Sequence, residues 1–393
     1  MGLFDKCYQF TEAKKVIEAG YYPFFIPLDE TEGSEAILRG KRIIMVGSNN
    51  YLGLTTHPKV RDAAIQAIRK YGTSCTGSRF LNGTLQLHEQ LEDRLAKYLR
   101  KEASLCFSTG FQTNLGVIAT ITGKGDAVIL DKDDHACLYD GVRLSSAILK
   151  RYQHNNMADL ERTLSSLSGN NGRLVAVDGV FSMEGDLAPL PEIVQLCKKY
   201  DAKLLVDDAH SIGVMGGGRG TAAHFDVEDD TDLIVGTFSK SFASLGGFVA
   251  GNEQIIHYIK HHARTLIFSA SIPAANAAAA MAALDVMESE PDRIKKLHRN
   301  AKKMRKEFKS MGFNTGKSQT PVVPIIIGSD RDKTLTISHA LLNEGVFVNP
   351  VFAPAVPPQR SLLRTSYMAT HTDEQLDRVL EIFYKVGKRF GLI

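Results

Sequence analysis

The sequence predicts an α/β protein with a mainly parallel β-sheet, followed by a smaller α+β region. From about residue 42, short runs rich in Val, Ile and Leu alternate with segments whose apolar residues recur every three or four positions. Strands that alternate with helices form parallel sheets that are covered on both faces. After Leu284 this alternation gives way to a long basic helix, two strand-like runs and a final helix.

The apolar runs of strand length in the first region are RIIMV, AVILD, RLVAVDG, AKLLVDD, DLIVGTF and GGFVAG. Between several of them, FQTNLGVIATIT, DLERTLSSL and PEIVQLCKKY have the apolar spacing of helices. In the second region, PVVPIII and VFVNPV are predicted as strands. Ligands bind at the carboxyl ends of parallel strands, so the polar residues that directly follow these runs are candidates for a site.

We expect three parts: an N-terminal arm over 1–45, a large domain over 46–285 and a small domain over 286–393. The first helix of the small domain, DRIKKLHRNAKKMRKEFKSMG, places Ile294, Leu297, Ala301, Met304 and Phe308 on one face, together with Met311. Its lysines and arginines form a solvated face in the ordinary interpretation. A surface for an anionic ligand or a membrane is the alternative.

Composition excludes several functional classes. The 393 residues are 44% hydrophobic and 23% charged, as in globular proteins, and a formal net charge of +3 gives no indication of nucleic-acid binding. Five cysteines without CxxC spacing favour reduced thiols and a cytoplasmic protein. The uncharged run from Thr265 to Leu284 is rich in alanine and contains polar residues, so it predicts a buried helix and no transmembrane segment.

Several common motifs are absent or fail on spacing. GFNTGKS is one residue short of a phosphate-binding P-loop, and GVMGGGRG lacks the register of a dinucleotide-binding turn. The sequence has no GxSxG elbow and no HExxH pair. The groups DKDDHAC and VDDAHS contain ligand-type residues but match no standard metal signature, so no metal site is predicted.

One lysine has unusual surroundings. In GTFSKSFASLGG, from Gly236 to Gly247, Lys240 lies among small, hydroxyl-bearing and aromatic residues with no acidic neighbour. An amine in such surroundings is a candidate nucleophile with a lowered pKa that forms a Schiff base, and a surface lysine on a turn is the alternative.

Five further positions fit the same chemistry. Asp207 ends a predicted strand and could pair with a protonated ring nitrogen, with His210 three residues later. Gly110 lies in a turn that begins a helix, where backbone N–H groups bind phosphate. His135 could stack on a ring, and Arg364 could bind a carboxylate with two hydrogen bonds. Together with Lys240 these are the parts that pyridoxal phosphate chemistry on an amino acid requires.

The chain resembles the α-oxoamine synthase family of fold-type I pyridoxal phosphate enzymes. The blocks that carry the resemblance run from about residue 42 to the C-terminus: GSNNYLGL, YGTSCTGSRFLNGT, FSTGFQTNLG, DGVFSMEGD, VDDAHSIGV, TFSKSFASLG and APAVPPQRSLLR. The resemblance implies that the large domain is the pyridoxal 5'-phosphate-binding domain of a fold-type I transferase.

The resemblance also implies roles for individual residues. Lys240 would bind the cofactor covalently and move the substrate Cα proton, Asp207 would pair with the ring nitrogen, His210 would contact the ring oxygen, and His135 would stack on the ring. The implied cofactor-binding set is Gly110, Phe111, His135, Ser182, Asp207, His210, Thr237, Ser239 and Lys240, with Ser269 and Ser271 acting across a dimer interface. Asn49, Ser78 and Arg364 would contact the amino acid.

Within the family, the Ser-Lys-Ser sequence around Lys240, GSRFLNGT and FVNPV resemble the branch that condenses L-serine with palmitoyl-CoA or another long-chain acyl-CoA. The implied products are 3-ketodihydrosphingosine, CoA and CO₂, in the first step of sphingolipid synthesis. The alternatives are 8-amino-7-oxononanoate synthase, 2-amino-3-ketobutyrate ligase, an aminotransferase and a non-catalytic subunit. The resemblance further implies a homodimer with shared active sites, and peripheral membrane contact stays open.

Overall fold

The computed structural model describes residues 2–167 and 172–393. The α-helices are α1 (Asp5–Gln9), α2 (Glu12–Glu18), α3 (Pro58–Tyr71), α4 (Gln86–Tyr98), α5 (Gly110–Ile121), α6 (Ala136–Ser145), α7 (Met157–Ser165), α8 (Leu190–Lys199), α9 (Thr221–His224), α10 (Glu253–His262), α11 (Arg264–Ile267), α12 (Ala274–Ser289), α13 (Pro291–Ser310), α14 (Arg331–Asn343) and α15 (Asp373–Arg389). The strands are β1 (Glu30–Glu32), β2 (Glu35–Leu38), β3 (Lys41–Met45), β4 (Ala103–Phe107), β5 (Ala127–Asp131), β6 (Ile148–Tyr152), β7 (Arg173–Asp178), β8 (Lys203–Asp207), β9 (Leu233–Thr237), β10 (Gly247–Gly251), β11 (Val322–Gly328), β12 (Val346–Phe347), β13 (Asn349–Val351) and β14 (Ser361–Ser366).

A seven-stranded sheet forms the centre of the molecule, in the order β4-β10-β9-β8-β7-β5-β6. The five strands from β9 to β6 are parallel to one another, and β10 pairs antiparallel with both β9 and β4. Every residue of β5, β9 and β10 is buried, as expected for strands that are covered on both faces. The predicted α/β class with a mainly parallel sheet is confirmed.

The prediction of individual strands is less complete. The run RIIMV forms β3, which does not join the large sheet but lies in a separate four-stranded sheet in the order β1-β2-β3-β12. The reason is that β3 follows β2 directly and pairs with it antiparallel, without a crossover helix. The run VFVNPV is divided between β12 and β13, which belong to different sheets.

Residues of the second region form a three-stranded antiparallel sheet, β11-β14-β13. Its core includes Met304 and Phe308 from α13 together with Phe383 from α15. The apolar face predicted for α13 is therefore buried as expected. The division at 45/46 and 285/286 stays a proposal, and β12, from the second region, pairs in parallel with β3 from the N-terminal part.

The uncharged run after Thr265 is interrupted. It contains the short helix α11, then an irregular stretch, and only from Ala274 the buried helix α12, whose small alanine side chains pack closely against α3. Among the described residues, no helix combines the length and the apolar character needed to cross a membrane.

Candidate active site

A cavity of about 260 Å³ lies where β7, β8 and β9 end and α5 begins. Adjacent parallel strands bring their last residues to the same edge, and Asp178 at the end of β7 is the register partner of Asp207 at the end of β8. Nine of the residues predicted from the sequence line the cavity: Gly110, Phe111, His135, Ser182, Asp207, His210, Thr237, Ser239 and Lys240.

Lys240 reaches the cavity from the turn that follows β9. The flanking Phe238 and Phe242 are fully buried and pack against Phe248 of β10, so the turn is anchored from both sides of the lysine. Burial lowers the pKa of Lys240 to about 8, although Asp207 and Asp178 favour the charged form. A substantial fraction of the amine is therefore neutral near physiological pH, as a nucleophilic lysine requires.

Asp207 is buried and its carboxylate accepts two short hydrogen bonds. The Asn114 side-chain amide donates to Oδ2 at 2.6 Å, and the backbone N–H of Ala209 donates to Oδ1 at 2.9 Å. Asn114 lies on α5 and is 1% exposed. These two donors fix the orientation of the carboxylate at the strand end.

His135 is the N-cap residue of α6. Its backbone N–H donates to the carboxylate of Asp178 at 3.0 Å, and its Nδ1 lies 2.9 Å from the buried thiol of Cys137. Burial, reinforced by the neighbouring Asp207 carboxylate, raises the pKa of Asp178 well above its usual range. The backbone position and one ring nitrogen of His135 are thus both fixed.

His210 belongs to a second network at the other side of the cavity. Its Nδ1 lies 2.7 Å from the hydroxyl of Tyr51, and Arg364 donates to the same hydroxyl at 3.4 Å. Arg364 also donates to the backbone carbonyl of Ser182 at 2.6 Å and to the side chain of Asn49 at 2.9 Å. Burial lowers the pKa of His210 well below its usual range, and the positive charges of Lys240 and Arg364 add to the effect.

The beginning of α5 has the form of a phosphate cradle. The first N–H groups of a helix have no partner within the helix and carry its positive dipole end. A Cβ atom at Gly110 would lie 2.8 Å from Thr237, so only glycine allows the helix to approach the strand end this closely. The hydroxyls of Thr237 and Ser239 lie 2.9 Å apart beside this turn.

Five predicted residues lie outside the cavity lining: Asn49, Ser78, Ser269, Ser271 and Arg364. Ser269 accepts a hydrogen bond from Gln112 at 3.2 Å, and the Ser271 hydroxyl donates to the Gly77 carbonyl at 3.2 Å. Ser78 forms an isolated β-bridge with the residue between these two serines, and its hydroxyl makes no hydrogen bond within residues 2–167 and 172–393. Their predicted roles across a dimer interface and toward the substrate stay predictions.

Sequence reasoning missed four residues of the site: Tyr51, Asn114, Cys137 and Asp178. Asp178 had a usable signal, because it ends an apolar run just as Asp207 does. Cys137 lies in the first turn of α6 and Asn114 in the second turn of α5, close to the helix ends where the predicted ligand site begins. Tyr51 had no such signal, since it lies 159 residues from His210 in the chain.

The donor set fits pyridoxal 5'-phosphate. The cavity combines a buried carboxylate for a ring nitrogen, a lysine with a lowered pKa and a glycine-lined helix N-terminus for a phosphate. The fold and site together therefore define a pyridoxal phosphate enzyme with a mainly parallel α/β sheet. The family model described as aminotransferase class I and II matches residues 41–383, and the chain belongs to this family.

Within the family, the chain is similar to curated serine palmitoyltransferases. It is 47% identical to that of Sphingobacterium spiritivorum, over 98% of this chain and 97% of the relative. It is 50% identical to that of Bacteriovorax stolpii, over 94% of this chain and 89% of the relative. A curated 8-amino-7-oxononanoate synthase from Thermoanaerobacter pseudethanolicus is 43% identical, over 96% of this chain and 95% of the relative.

Solved structures agree with these relationships. The serine palmitoyltransferase of S. paucimobilis, determined with pyridoxal phosphate and myriocin bound, superposes with a TM-score of 0.96. It is 37% identical to this chain and the match covers 99% of this chain and 98% of that structure. The predicted family, fold type and cofactor are confirmed.

Proposed function

We propose that this protein condenses L-serine with palmitoyl-CoA or a similar long-chain acyl-CoA, giving 3-ketodihydrosphingosine, CoA and CO₂. The observation that carries the proposal is that relatives 47% and 50% identical over nearly the whole chain are serine palmitoyltransferases. The product is a long-chain base, and the reaction would be the first step of sphingolipid synthesis.

When bound, pyridoxal phosphate acts as an electron sink that stabilises negative charge on the amino-acid Cα. Asp207 would pair with the ring nitrogen, His135 would stack on the ring and His210 would contact the ring oxygen. Gly110, Phe111, Thr237 and Ser239 would hold the phosphate, and Ser182 would line the ring. The support for this arrangement is that all of these residues line one cavity of about 260 Å³.

Lys240 would act both as a nucleophile and as the group that carries the Cα proton. Both roles need a neutral amine, and burial lowers the pKa of Lys240 to about 8. Within the described residues, Asp207 and Asp178 act on its Nζ only through space, and no ion pair or hydrogen bond holds it. The amine is therefore able to accept a proton at Nζ and to return it.

Arg364 would bind the carboxylate of L-serine. Its Nε and one terminal nitrogen already donate to Ser182 and Asn49, which fixes the plane of the guanidinium. The other terminal nitrogen makes no hydrogen bond to the described residues and is available to a carboxylate. Asn49 and Ser78 complete the proposed substrate-binding set.

His210 would serve as a neutral donor. If the Tyr51 hydroxyl donates to Nδ1, the proton of the imidazole lies on Nε2, the only ring nitrogen left for a ligand. The lowered pKa of His210 supports the neutral form, since protonation would add a second cation beside Lys240.

A second activity has specific support. The 43% identity to an 8-amino-7-oxononanoate synthase is close to the identity with the serine palmitoyltransferases, and that enzyme belongs to the same family of condensing acyltransferases. The alternative reaction would use alanine and a shorter acyl thioester.

The test is CoA release by the purified protein loaded with pyridoxal phosphate, with palmitoyl-CoA and serine, alanine or glycine. We expect release with serine, and at most a small fraction of that rate with the other two. Release with alanine and a shorter thioester, but not with serine and palmitoyl-CoA, would support the second activity and contradict the first.

We also propose a cytoplasmic homodimer whose sites are shared between subunits. Phe80, Leu81 and Phe268 are 55%, 77% and 74% exposed beside the Ser78 bridge, and a second copy could cover them. All five cysteines are free, which supports a reducing compartment. Sedimentation of the purified protein tests the dimer, and loss of cofactor affinity in Ser271→Ala would support the shared site.

A further inference from the structure

One hydrogen-bond chain in the cavity wall joins the two residues that are proposed to lie beneath and beside the cofactor ring. The Asn114 amide nitrogen donates to Asp207 Oδ2 at 2.6 Å and to Cys137 Sγ at 3.1 Å. Cys137 Sγ lies in turn 2.9 Å from Nδ1 of His135. The chain thus runs from Asp207 through Asn114 and Cys137 to His135.

Because the two middle residues of this hydrogen-bond chain are buried, few other hydrogen-bond partners are open to them. Asn114 is 1% exposed and Cys137 is 2% exposed, so neither side chain has water as an alternative partner. The orientation of the amide is fixed by chemistry, because the reverse orientation would place two acceptor oxygens 2.6 Å apart at Asp207. The Asn114 oxygen itself makes no hydrogen bond to the described residues. The Asn114 side chain therefore leaves its oxygen without a partner, while its two N–H groups donate to Asp207 and Cys137.

The same geometry determines the protonation of His135. Its Nδ1 faces both the Cys137 thiol and the Cys137 backbone N–H, which lies 3.3 Å away. A backbone N–H can only donate, so Nδ1 is the acceptor and the ring proton lies on Nε2. The Cys137 thiol lies closer to Nδ1, at 2.9 Å, than to its other acceptor, Asp207 Oδ2, at 4.0 Å.

We infer that Asn114 is a positioning residue that holds the Asp207 carboxylate toward the cofactor ring, and that Cys137 extends this chain to orient His135. Neither residue touches the substrates in this scheme. The inference rests on the cofactor site of the proposed function, but it does not depend on which amino acid or acyl-CoA is used.

The first experiment compares Asn114→Ala with Val117→Ala. Both residues lie on α5, both are fully buried, and Val117 belongs to the apolar core away from the cavity. For each purified variant we would measure the dissociation constant of pyridoxal phosphate, the pH dependence of the absorption of the bound cofactor and the thermal unfolding midpoint.

We expect Asn114→Ala to weaken cofactor binding by roughly 10-fold or more, since a hydrogen bond to a charged group contributes about 1.5–3 kcal/mol, or a factor of roughly 10 to 150. We also expect the pH dependence of the cofactor absorption to shift. Val117→Ala should lower the unfolding midpoint and leave both cofactor properties unchanged. If Asn114→Ala lowers the unfolding midpoint but binds the cofactor with wild-type affinity and absorption, Asn114 only packs the core and the inference is wrong.

A second pair of variants tests the chain if Asn114→Ala does not fold. Cys137→Ser keeps a group that both accepts from Asn114 and donates to His135, whereas Cys137→Ala removes it. We expect the serine variant to retain the wild-type absorption of the bound cofactor and the alanine variant to change it. Identical spectra for the two variants would overturn the inference. If the wild-type protein bound no pyridoxal phosphate, the proposed function itself would be wrong. That outcome differs from failure of the present inference, in which the wild-type protein binds the cofactor and the variants bind it equally well.

Discussion

Both edges of the central sheet carry cavities, and the cavity at the amino ends of the strands is larger than the proposed active site. At the amino ends of the strands, a cavity of about 610 Å³ is lined by residues that include Arg173, Lys203 and Asp232. At the carboxyl ends, the cavity of about 260 Å³ contains Lys240 and Asp207. Size therefore does not distinguish the two edges.

What differs is how the charged groups are used. At the amino-end cavity, Asp126 accepts hydrogen bonds from the backbone of Gly123 and Gly172, and Asp232 accepts one from Leu204 and lies 3.7 Å from Lys203. These charges complete turns. At the carboxyl-end cavity, the amine of Lys240 has no such partner among the described residues, and its pKa is lowered to about 8. A reactive group without a partner therefore indicates the functional edge of the sheet better than the volume of the cavity does.

The largest effect is expected for Lys240→Ala, which tests whether the carboxyl-end cavity is the functional one. If Lys240 is both nucleophile and proton carrier, CoA release should fall by at least about 10⁴-fold, the upper limit of what proton transfer alone contributes. Folding should be maintained, which circular dichroism would check. Retained turnover in the purified variant would contradict the proposed mechanism.

The carboxyl-end edge also contains a histidine whose two ring nitrogens each face an aspartate. His154 lies 3.0 Å from Asp131 and 2.9 Å from Asp186. Burial alone would lower the pKa of His154, but the hydrogen bonds that its ring donates to both aspartates outweigh this effect and raise the pKa to about 10. Here the charge of a half-buried histidine is paired with two buried carboxylates, and the proposed mechanism does not use it.

His154→Ala should therefore lower the free energy of unfolding by about 3–5 kcal/mol, because two buried carboxylates lose their partner. The folded-state pKa lies above the usual value of about 6.5. The stabilisation is thus fully present below pH 6.5 or so and is lost as the pH rises through about 10. Urea unfolding across this range should show a steeper loss of stability for the wild-type protein than for His154→Ala, and parallel curves would contradict the assignment.

Arg364→Lys tests the proposed binding of serine with a smaller effect. A lysine keeps the charge, but one ammonium group cannot keep the hydrogen bonds to Ser182 and Asn49 and also present a fixed donor to the carboxylate. We expect the KM for serine to rise by roughly 10- to 100-fold with a smaller change in the KM for palmitoyl-CoA. The matched control is Arg94→Lys, a surface arginine paired with Asp285 and Glu288, which should leave both constants unchanged. Equal changes in both KM values would argue against a carboxylate-binding role.

The smallest effect is expected at the amino-end cavity. Tyr258→Ala and Lys203→Ala alter its lining, but surface substitutions away from a site usually change little. CoA release should stay within about twofold of wild type for both variants. A large loss of activity in either would show that the two edges are not functionally distinct.

The sequence predicted those site residues whose position can be recognised from their immediate neighbours in the chain. Asp207 ends a buried strand and Lys240 and Gly110 each follow one, and the apolar runs at these positions identify the strand ends. β6 was not predicted because four of its five residues are not fully buried and two are Lys and Arg. The pairing of β3 with β2 depends on a turn whose residues gave no distinct signal.

The supporting residues of the site were harder to predict for a different reason. Asn114 appears in the sequence as a polar residue of an amphipathic helix, and only the folded structure brings it to Asp207, 93 residues away in the chain. Tyr51 reaches His210 and Arg364 from another part of the chain. Such contacts depend on long-range packing, which spacing along the chain does not record.

The central claim is that Lys240 is the lysine that binds pyridoxal phosphate, and chemical reduction followed by mass spectrometry tests it most directly. Borohydride treatment of the cofactor-loaded protein makes the link between the cofactor and its lysine permanent, so that the modified peptide can be identified after digestion. We predict one modified peptide, containing Lys240, and none in Lys240→Ala. Modification of another lysine, or of none, would contradict the account.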